Sequence, residues 1–556
     1  HDQGEKTGGG ALRVRKHLVP ILFLYFTALA IRLVPLLFSS LPYNIDGFPL
    51  VRISNDVISS GEWTMDEYNT KLPIFGMIIT MASLISSEEP LYFVQILIPL
   101  ITSMSVVLVY VLAYKITQSR TAAVFAGLFL ALSGFYVFLT AAVMKQALGF
   151  TLLPLILYLY YEREDPRKRL LCAFLLILMP LLHHLTSLMV FTMITLIMVA
   201  QNIQRLKDDT WKATEFTLDV CLGPLLIMFL FWFYLSVDMP FFLDVANVNA
   251  VALFLSVFFI VALLSIYLSS PSRMRPWFFY SHEKRVLPKF FDQKVLFILG
   301  AIFLLVLNHF TDIFAGTLQT KSDLLLWAIP YLILLFIGLA GLNVIRNTET
   351  RYRALVVAGL MGPISVMLFS FLWGLDPVSF TLLYRSYDFI DFTLAIAIGI
   401  AVSYAIASSK RRLTKAFVAA GALSLILLTT PFAYGSVQFF DVENTTYQYE
   451  FESMAFVDQH QLYVLGTDQR VSYTIGGFYG GEGDGFLPPR LVNDLSIESY
   501  DYLLMEDRWT SVGAQLHPGG AVVVDDTAFM NTIRDNHLIY TNTAAQEDVY
   551  ILKVRG

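Results

Sequence analysis

The sequence predicts an α-helical polytopic membrane protein with a small C-terminal extracytoplasmic α/β domain. Three observations predict it. The 556 residues are 56% hydrophobic and only 15% charged, whereas a soluble chain carries about 25% charged residues. The apolar residues fall in repeated continuous runs, many near the ~18 residues that cross a bilayer as a helix. The last stretch is a different material, with short β-rich runs between Gly, Pro and Asp turns.

Taken in order, the first sixteen residues, opening HDQGEKTGGG, read as a flexible cytoplasmic tail, and no cleavable signal peptide is expected. Residues 17–436 read as the transmembrane domain. Its apolar runs lie at 17–40, 91–114, 121–138, 147–161, 169–182, 185–201, 216–236, 250–269, 295–310, 324–345, 354–373, 389–408 and 414–434, about thirteen spans by the length rule. With RVRKH inside, the loops KITQSR, EREDPRKR, QNIQRLKDDTWK, PSRMRPWFFYSHEKRVLPK, RNTETRYR and SSKRRLTK all fall on one side. All six are basic, which predicts a cytoplasmic N-terminus and a multi-pass protein of the plasma membrane. The odd count sends residues 437–556 outside.

That final region holds 18 Asp and Glu against 6 Lys and Arg, a net of −12 in a chain of −6, so residues 1–436 carry +6. Such asymmetry suits two regions in different surroundings. LYVLGTD, SYDYLLMED, GAVVVDD and DVYILKV are its strand candidates. Asn444-Thr445-Thr446 matches a glycosylation acceptor. No basic patch with interleaved aromatics is present, so no nucleic-acid partner is expected. Two cysteines, Cys172 and Cys221, make no disulfide framework.

The ionisable residues on the outward side of this topology are few, and they abut apolar spans. They are Asp46, Arg52 and Asp56 in the first loop, then Lys145, His183, His184, His309, Asp312, Asp376, Arg385, Asp388 and Asp391. Each has a bland reading. Asp46 sits in NIDG, a good turn sequence, Arg385 is able to snorkel from a helix end, and Asp388 stands at helical spacing from it. As a set, gathered on one membrane face, they point to function.

The stretch LPYNIDGFPLVRISNDVISSGEW resembles the first external loop of membrane glycosyltransferases of the GT-C superfamily, through Ile31-Arg32-Leu33, Asp46, Arg52 and Gly61. TAAVMKQALGFTLLPLILYLYY resembles the second external loop and following span of the archaeal and bacterial oligosaccharyltransferase-like members. The resemblance implies a GT-C fold that moves a sugar from a polyprenyl (dolichyl) phosphate donor to a lipid-linked, glycan or protein acceptor, with inversion. Asp46 is then the base, with Asp56 the second candidate, and Arg52 orients it or holds the sugar. Lys145, Arg385, His183 and His184 cradle the phosphate, with Asp388 beside Arg385.

Two departures qualify the match. Lys145-Gln146 replaces the acidic pair that helps oligosaccharyltransferases hold a divalent metal, so no metal ligands and no cofactor are expected. No WWDxG acceptor motif occurs; EDRWTS does not fit it. Alternatives remain open: an oligosaccharyltransferase for protein N-glycosylation, a lipid or saccharide transporter or flippase, and a non-catalytic scaffold.

Overall fold

The computed structural model describes residues 8–64, 69–207, 209–236, 248–269, 293–311, 313, 320–345, 350–374, 377–435, 443–516, 520–544 and 547–555. Asp312, Asp376 and the basic loop at 271–289 lie outside them.

The first helix, α1 (Gly8–Arg32), reaches back into the stretch read as a tail. The connection that follows is not an irregular loop. It holds α2 (Gly47–Ser60) and the apolar α3 (Pro73–Ser86). The latter has 14 residues, which rise only about 21 Å, too short for a span. Next come α4 (Pro90–Thr102), α5 (Met104–Thr117), α6 (Arg120–Leu132) and α7 (Gly134–Ala141). The run expected at 121–138 is broken at Ser133, where α6 and α7 meet at 62°. Two helices of 17 residues follow, α8 (Lys145–Tyr161) and α9 (Pro166–Leu182), then α10 (His184–Lys207). The run at 216–236 is split at Gly223 into α11 (Ala213–Leu222) and α12 (Pro224–Ser236). The bundle closes with α13 (Val248–Ser269), α14 (Gln293–Phe310), α15 (Ser322–Ile345), α16 (Thr350–Trp373), α17 (Pro377–Ser408) and α18 (Arg412–Leu427).

Among the described residues, eight helices are long and apolar enough to cross a membrane, or nine if the bent pair is one span. The count of thirteen is therefore not reached by length alone. Two of the expected spans, α8 and α9, stop one residue short of the 18 required, and others are bent or divided. The expected class holds: this is a multi-pass helical membrane protein with a small C-terminal α/β unit.

Arg32 shows how the bend is held. It is fully buried at the end of α1. Its guanidinium donates to Leu130 O at 3.2 Å, Thr140 Oγ1 at 2.8 Å and Ala28 O at 3.1 Å, and lies over the Tyr136 ring. One planar cation thus occupies carbonyl and hydroxyl groups on both sides of the break, where the helix leaves backbone acceptors unpaired.

The C-terminal region forms a five-stranded sheet in the order β2-β1-β3-β7-β6, with β1 (Leu465–Gly466), β2 (Gly483–Asp484), β3 (Tyr502–Glu506), β6 (His537–Ala544) and β7 (Glu547–Lys553). β1 runs parallel to β2 and β3; β7 runs antiparallel to β3 and β6. A separate hairpin pairs β4 (Ala514–Gln515) with β5 (Ala521–Val522). All four expected strand segments carry strands; β2, β4 and β6 lie outside them. On one face lies α19 (Gln448–Gln459), whose Phe456 stacks on Tyr540 at 4.3 Å.

Inside this unit Arg470 and Arg508 are buried among acids. Arg470 bridges Glu450 and Glu506, with bonds of 2.8 to 3.0 Å. Arg508 bridges Glu450 at 2.8 Å and Glu443 at 2.6 Å. Burial, which Arg470 only partly offsets, raises the Glu506 carboxyl to about 8. Burial also raises Asp468. It works to raise Glu450 as well, but Arg470 and Arg508 hold that group below its usual range.

The folded state therefore binds a proton at Glu506 that the unfolded chain releases near its ordinary value of 4.5. Between that value and about 8 the stability of this unit falls as pH rises. Thermal unfolding of the full chain in detergent should show a midpoint several degrees lower at pH 9 than at pH 6. Glu506→Gln should match the wild type near pH 4 and exceed it by a margin that grows from pH 6 to pH 9. A midpoint in both proteins that does not move with pH contradicts this.

Candidate active site

The site begins at the segment 41–46, which three neighbours hold by its backbone. Tyr43 N donates to Gln95 Oε1 on α4 at 2.7 Å. Val143 N donates to Tyr43 O at 2.8 Å. Asn44 N donates to Asn444 O at 2.8 Å. The Tyr43–Val143 bond brings the first connection beside the start of α8, so two stretches about a hundred residues apart in sequence meet. Gly47 is needed there, because a Cβ would sit 2.6 Å from Pro42 Cβ and 3.0 Å from Val143 Cβ.

Asp46 is half-buried at the N-terminal boundary of α2. Its carboxylate makes no capping bond to the helix it precedes. Asn44 does the local work instead: its Oδ1 accepts from Asp46 N at 3.0 Å. Asn44 has φ of 85°, a left-handed conformation that Asn tolerates better than most residues. Its Nδ2 donates to Asn444 Oδ1 at 2.9 Å. The C-terminal region therefore grips the Asp46 turn at two points. Asn444 is 5% exposed, and its carbonyl groups are used in these bonds. The acceptor tripeptide read in the sequence is thus a buried clamp.

Lys145 opens α8 and is nearly buried. Its Nζ donates to Asn69 Oδ1 at 2.8 Å and lies within electrostatic reach of Asp46. His183 and His184 follow α9, with rings 4.8 Å apart, and both lie within electrostatic reach of Lys145 and Arg385. Gly149 explains the approach of α8 to α10: a Cβ there would lie 2.4 Å from Thr186 Oγ1. Thr186 in turn hydrogen-bonds His183 Nδ1 at 2.9 Å. Phe150, next along α8, packs on Phe389 of α17 at 4.5 Å between ring centroids. One turn back on each helix stand Lys145 and Gln146, His183, and Arg385. The structure thus joins Asp46, Lys145, His183, His184 and Arg385 above an aromatic floor.

The remaining expectations fall elsewhere. α17 begins at Pro377, so Arg385 and Asp388 lie within a helix rather than at its edge. Asp388 is buried, with Arg385 and Asp391 as its charged neighbours. Asp391 accepts from Tyr331 Oη and from Ser133 Oγ at 3.0 Å, at the break between α6 and α7. Arg52 donates to Gly476 O at 3.2 Å, a bond to the C-terminal region, beside the stack of Phe48 on Phe451. Asp56 is exposed, ten residues along α2 and so about 15 Å from Asp46 along the axis. It does not join the site. His309 is held at Thr320 O, 2.6 Å away.

Among the described residues no group of three His, Cys, Asp or Glu side chains converges to hold a metal. Hard divalent ions need several oxygen ligands, and the donor set here is led by a lysine, an arginine and an amide. These residues do not fit such an ion. Sequence reading missed Asn44, Asn69 and Gln95, and took Asn444 for a glycosylation acceptor. The NIDG turn is the only local signal for the first three.

No family model and no curated protein sequence matches the chain. Solved structures similar to it include the oligosaccharyltransferase AglB of Archaeoglobus fulgidus, in complex with an inhibitory peptide and a dolichol-phosphate. It shares 11% identity and a TM-score of 0.48, over 89% of this chain and 70% of that one. ArnT of Cupriavidus metallidurans bound to undecaprenyl phosphate shares 13% identity and a TM-score of 0.39, over 99% of both chains. These neighbours are GT-C glycosyltransferases.

Replacement of Asn44 separates conformation from hydrogen bonding. Gly adopts its φ without strain, whereas Ala does not; both lose the amide bonds. Asn44→Gly should therefore be more stable than Asn44→Ala by about 1 kcal/mol or more, measured by thermal unfolding. Equal stability would show that the left-handed turn is not maintained.

Proposed function

We propose that the protein is a membrane glycosyltransferase that moves a sugar from a polyprenyl phosphate carrier to an acceptor hydroxyl, with inversion and without a metal. The observation that carries this reading is the convergence of Lys145, His183, His184 and Arg385 with one carboxylate, Asp46, at one end of an apolar bundle. A lipid phosphate needs this combination: positive charge for its oxygens and hydrocarbon for its chain. The N-terminus of α8, 17 residues long, adds the positive end of a helix dipole at Lys145.

In this mechanism the acceptor oxygen attacks the anomeric carbon, and its proton passes to Asp46. The bond from that carbon to the phosphate oxygen breaks, and the phosphate leaves with the electron pair. Lys145 and Arg385 neutralise the charge that grows on it. Arg52 holds α2 against the C-terminal region, and the Asn44–Asn444 clamp sets the turn that presents Asp46. The bundle end that carries the site faces the outside of the cell, together with the C-terminal region, and the N-terminus is cytoplasmic.

Removing a general base typically costs about 10²–10⁴-fold in rate. Asp46→Asn should lose that much turnover while donor affinity stays close to wild type. Lys145→Ala and Arg385→Ala should weaken donor binding as well. The three variants are compared in one assay with purified protein, labelled polyprenyl-phosphate sugar and a membrane extract. Near wild-type transfer by Asp46→Asn would rule out Asp46 as the base.

The orientation has its own check. In intact cells, a membrane-impermeant thiol reagent should label a cysteine placed at the exposed Ser496 and miss one placed at the exposed Asp165. The reverse pattern would put the site on the cytoplasmic face.

A further inference from the structure

We propose that Gln146 reads the sugar of the lipid-linked donor, and that this sugar is neutral and presents adjacent free hydroxyls to it. The inference rests on the glycosyl-transfer reading of the Lys145 site and adds the substrate class to it.

Gln146 is 1% exposed, and among the described residues neither its Nε2 nor its Oε1 has a hydrogen-bond partner. A buried amide left unpaired costs about 1–3 kcal/mol, so an amide kept there without a partner in the protein is matched to one from outside. Its place in the fold is informative. Residues three and four apart share a helix face, so Gln146 shares one with Gly149 and Phe150. Gly149 presses on Thr186, the partner of His183, and Phe150 packs on Phe389, one turn beyond Arg385. Gln146 therefore lies in the layer of Lys145, His183 and Arg385.

The chemistry narrows the ligand. An amide offers two N–H donors and one carbonyl acceptor. A phosphate dianion has only acceptors and would leave Oε1 facing negative oxygens. A carboxylate on a uronic acid has the same defect. An ammonium on an amino sugar would meet the positive charge of Lys145 and Arg385. Adjacent neutral hydroxyls both donate and accept, and they satisfy both ends of the amide. The phosphate then belongs to the cations and the sugar ring to Gln146.

The test compares three probes of equal chain length: bare polyprenyl phosphate, polyprenyl-phosphate hexose and polyprenyl-phosphate uronic acid. Their affinities are measured on the purified full chain by native mass spectrometry. The wild type should bind the hexose carrier about ten-fold or more tighter than the other two. Gln146→Met, of similar length without hydrogen-bonding ends, should erase that preference and leave bare-carrier affinity unchanged. Without ligand, this variant should unfold at the wild-type temperature or above, since it removes an unpaired amide. Gln146→Leu repeats the measurement if Met does not fold. Equal loss for all probes, no loss for any, or no preference in the wild type would overturn the proposal and leave Gln146 with a structural or water-binding role. Wild-type binding to none of the carriers would overturn the glycosyl-transfer reading itself, and the proposal with it.

Discussion

A charge among membrane-spanning helices has no water to turn to, and this constraint organises the molecule. An unpaired ion there costs several kcal/mol or more, so each buried cation is placed where several elements converge. Arg32 takes its partners from the end of α6 and from α7. At the far end of α8, Arg163 is locked by Asp219 of α11, Gln201 of α10 and Tyr160 O. Asp391 gathers Tyr331 and Ser133 at the bend. Each set works as a staple because removing one member would strand the others. Such groups contribute through the penalty of their loss more than through their own attraction.

The same constraint makes the Lys145 layer stand out. Among its groups, Gln146 is buried with neither end of its amide matched, in contrast with Arg32, each of whose guanidinium nitrogens has a partner. Two cationic side chains reach the same pair of histidines. Such an arrangement is costly in an apolar bundle and suits an anion that arrives from outside.

The C-terminal region takes part in this economy from above. It reaches the bundle through Asn444 on the Asp46 turn, Gly476 O on Arg52, and Phe451 and Phe478 around Phe48. Polar contacts set direction there, and the aromatic cluster supplies buried area. Two arginines paired with three acids, Glu443, Glu450 and Glu506, hold the strands and α19 to one another. The acidity counted in the sequence is thus partly internal, spent on buried pairing rather than on solvation alone.

The sequence by itself determined the class. Apolar runs near bilayer length and their near-absence after residue 437 are local quantities, legible in a short window. The strand segments after that point were legible for the same reason. Asp46, Lys145, His183, His184 and Arg385 could be singled out because an ionisable residue beside an apolar span is rare enough to notice. Their meeting could not be read, since it depends on the Tyr43–Val143 bond, on Gly149 against Thr186 and on Phe150 against Phe389, all contacts between distant segments. Asp56 shows the limit from the other side: equal to Asp46 in type and near it in sequence, it is carried away by three turns of α2. Asn444 shows it again, as a tripeptide with a surface signature that packing turned inward. Composition and period are properties of a segment, whereas a site is a property of distances between segments, and only the packed chain sets those.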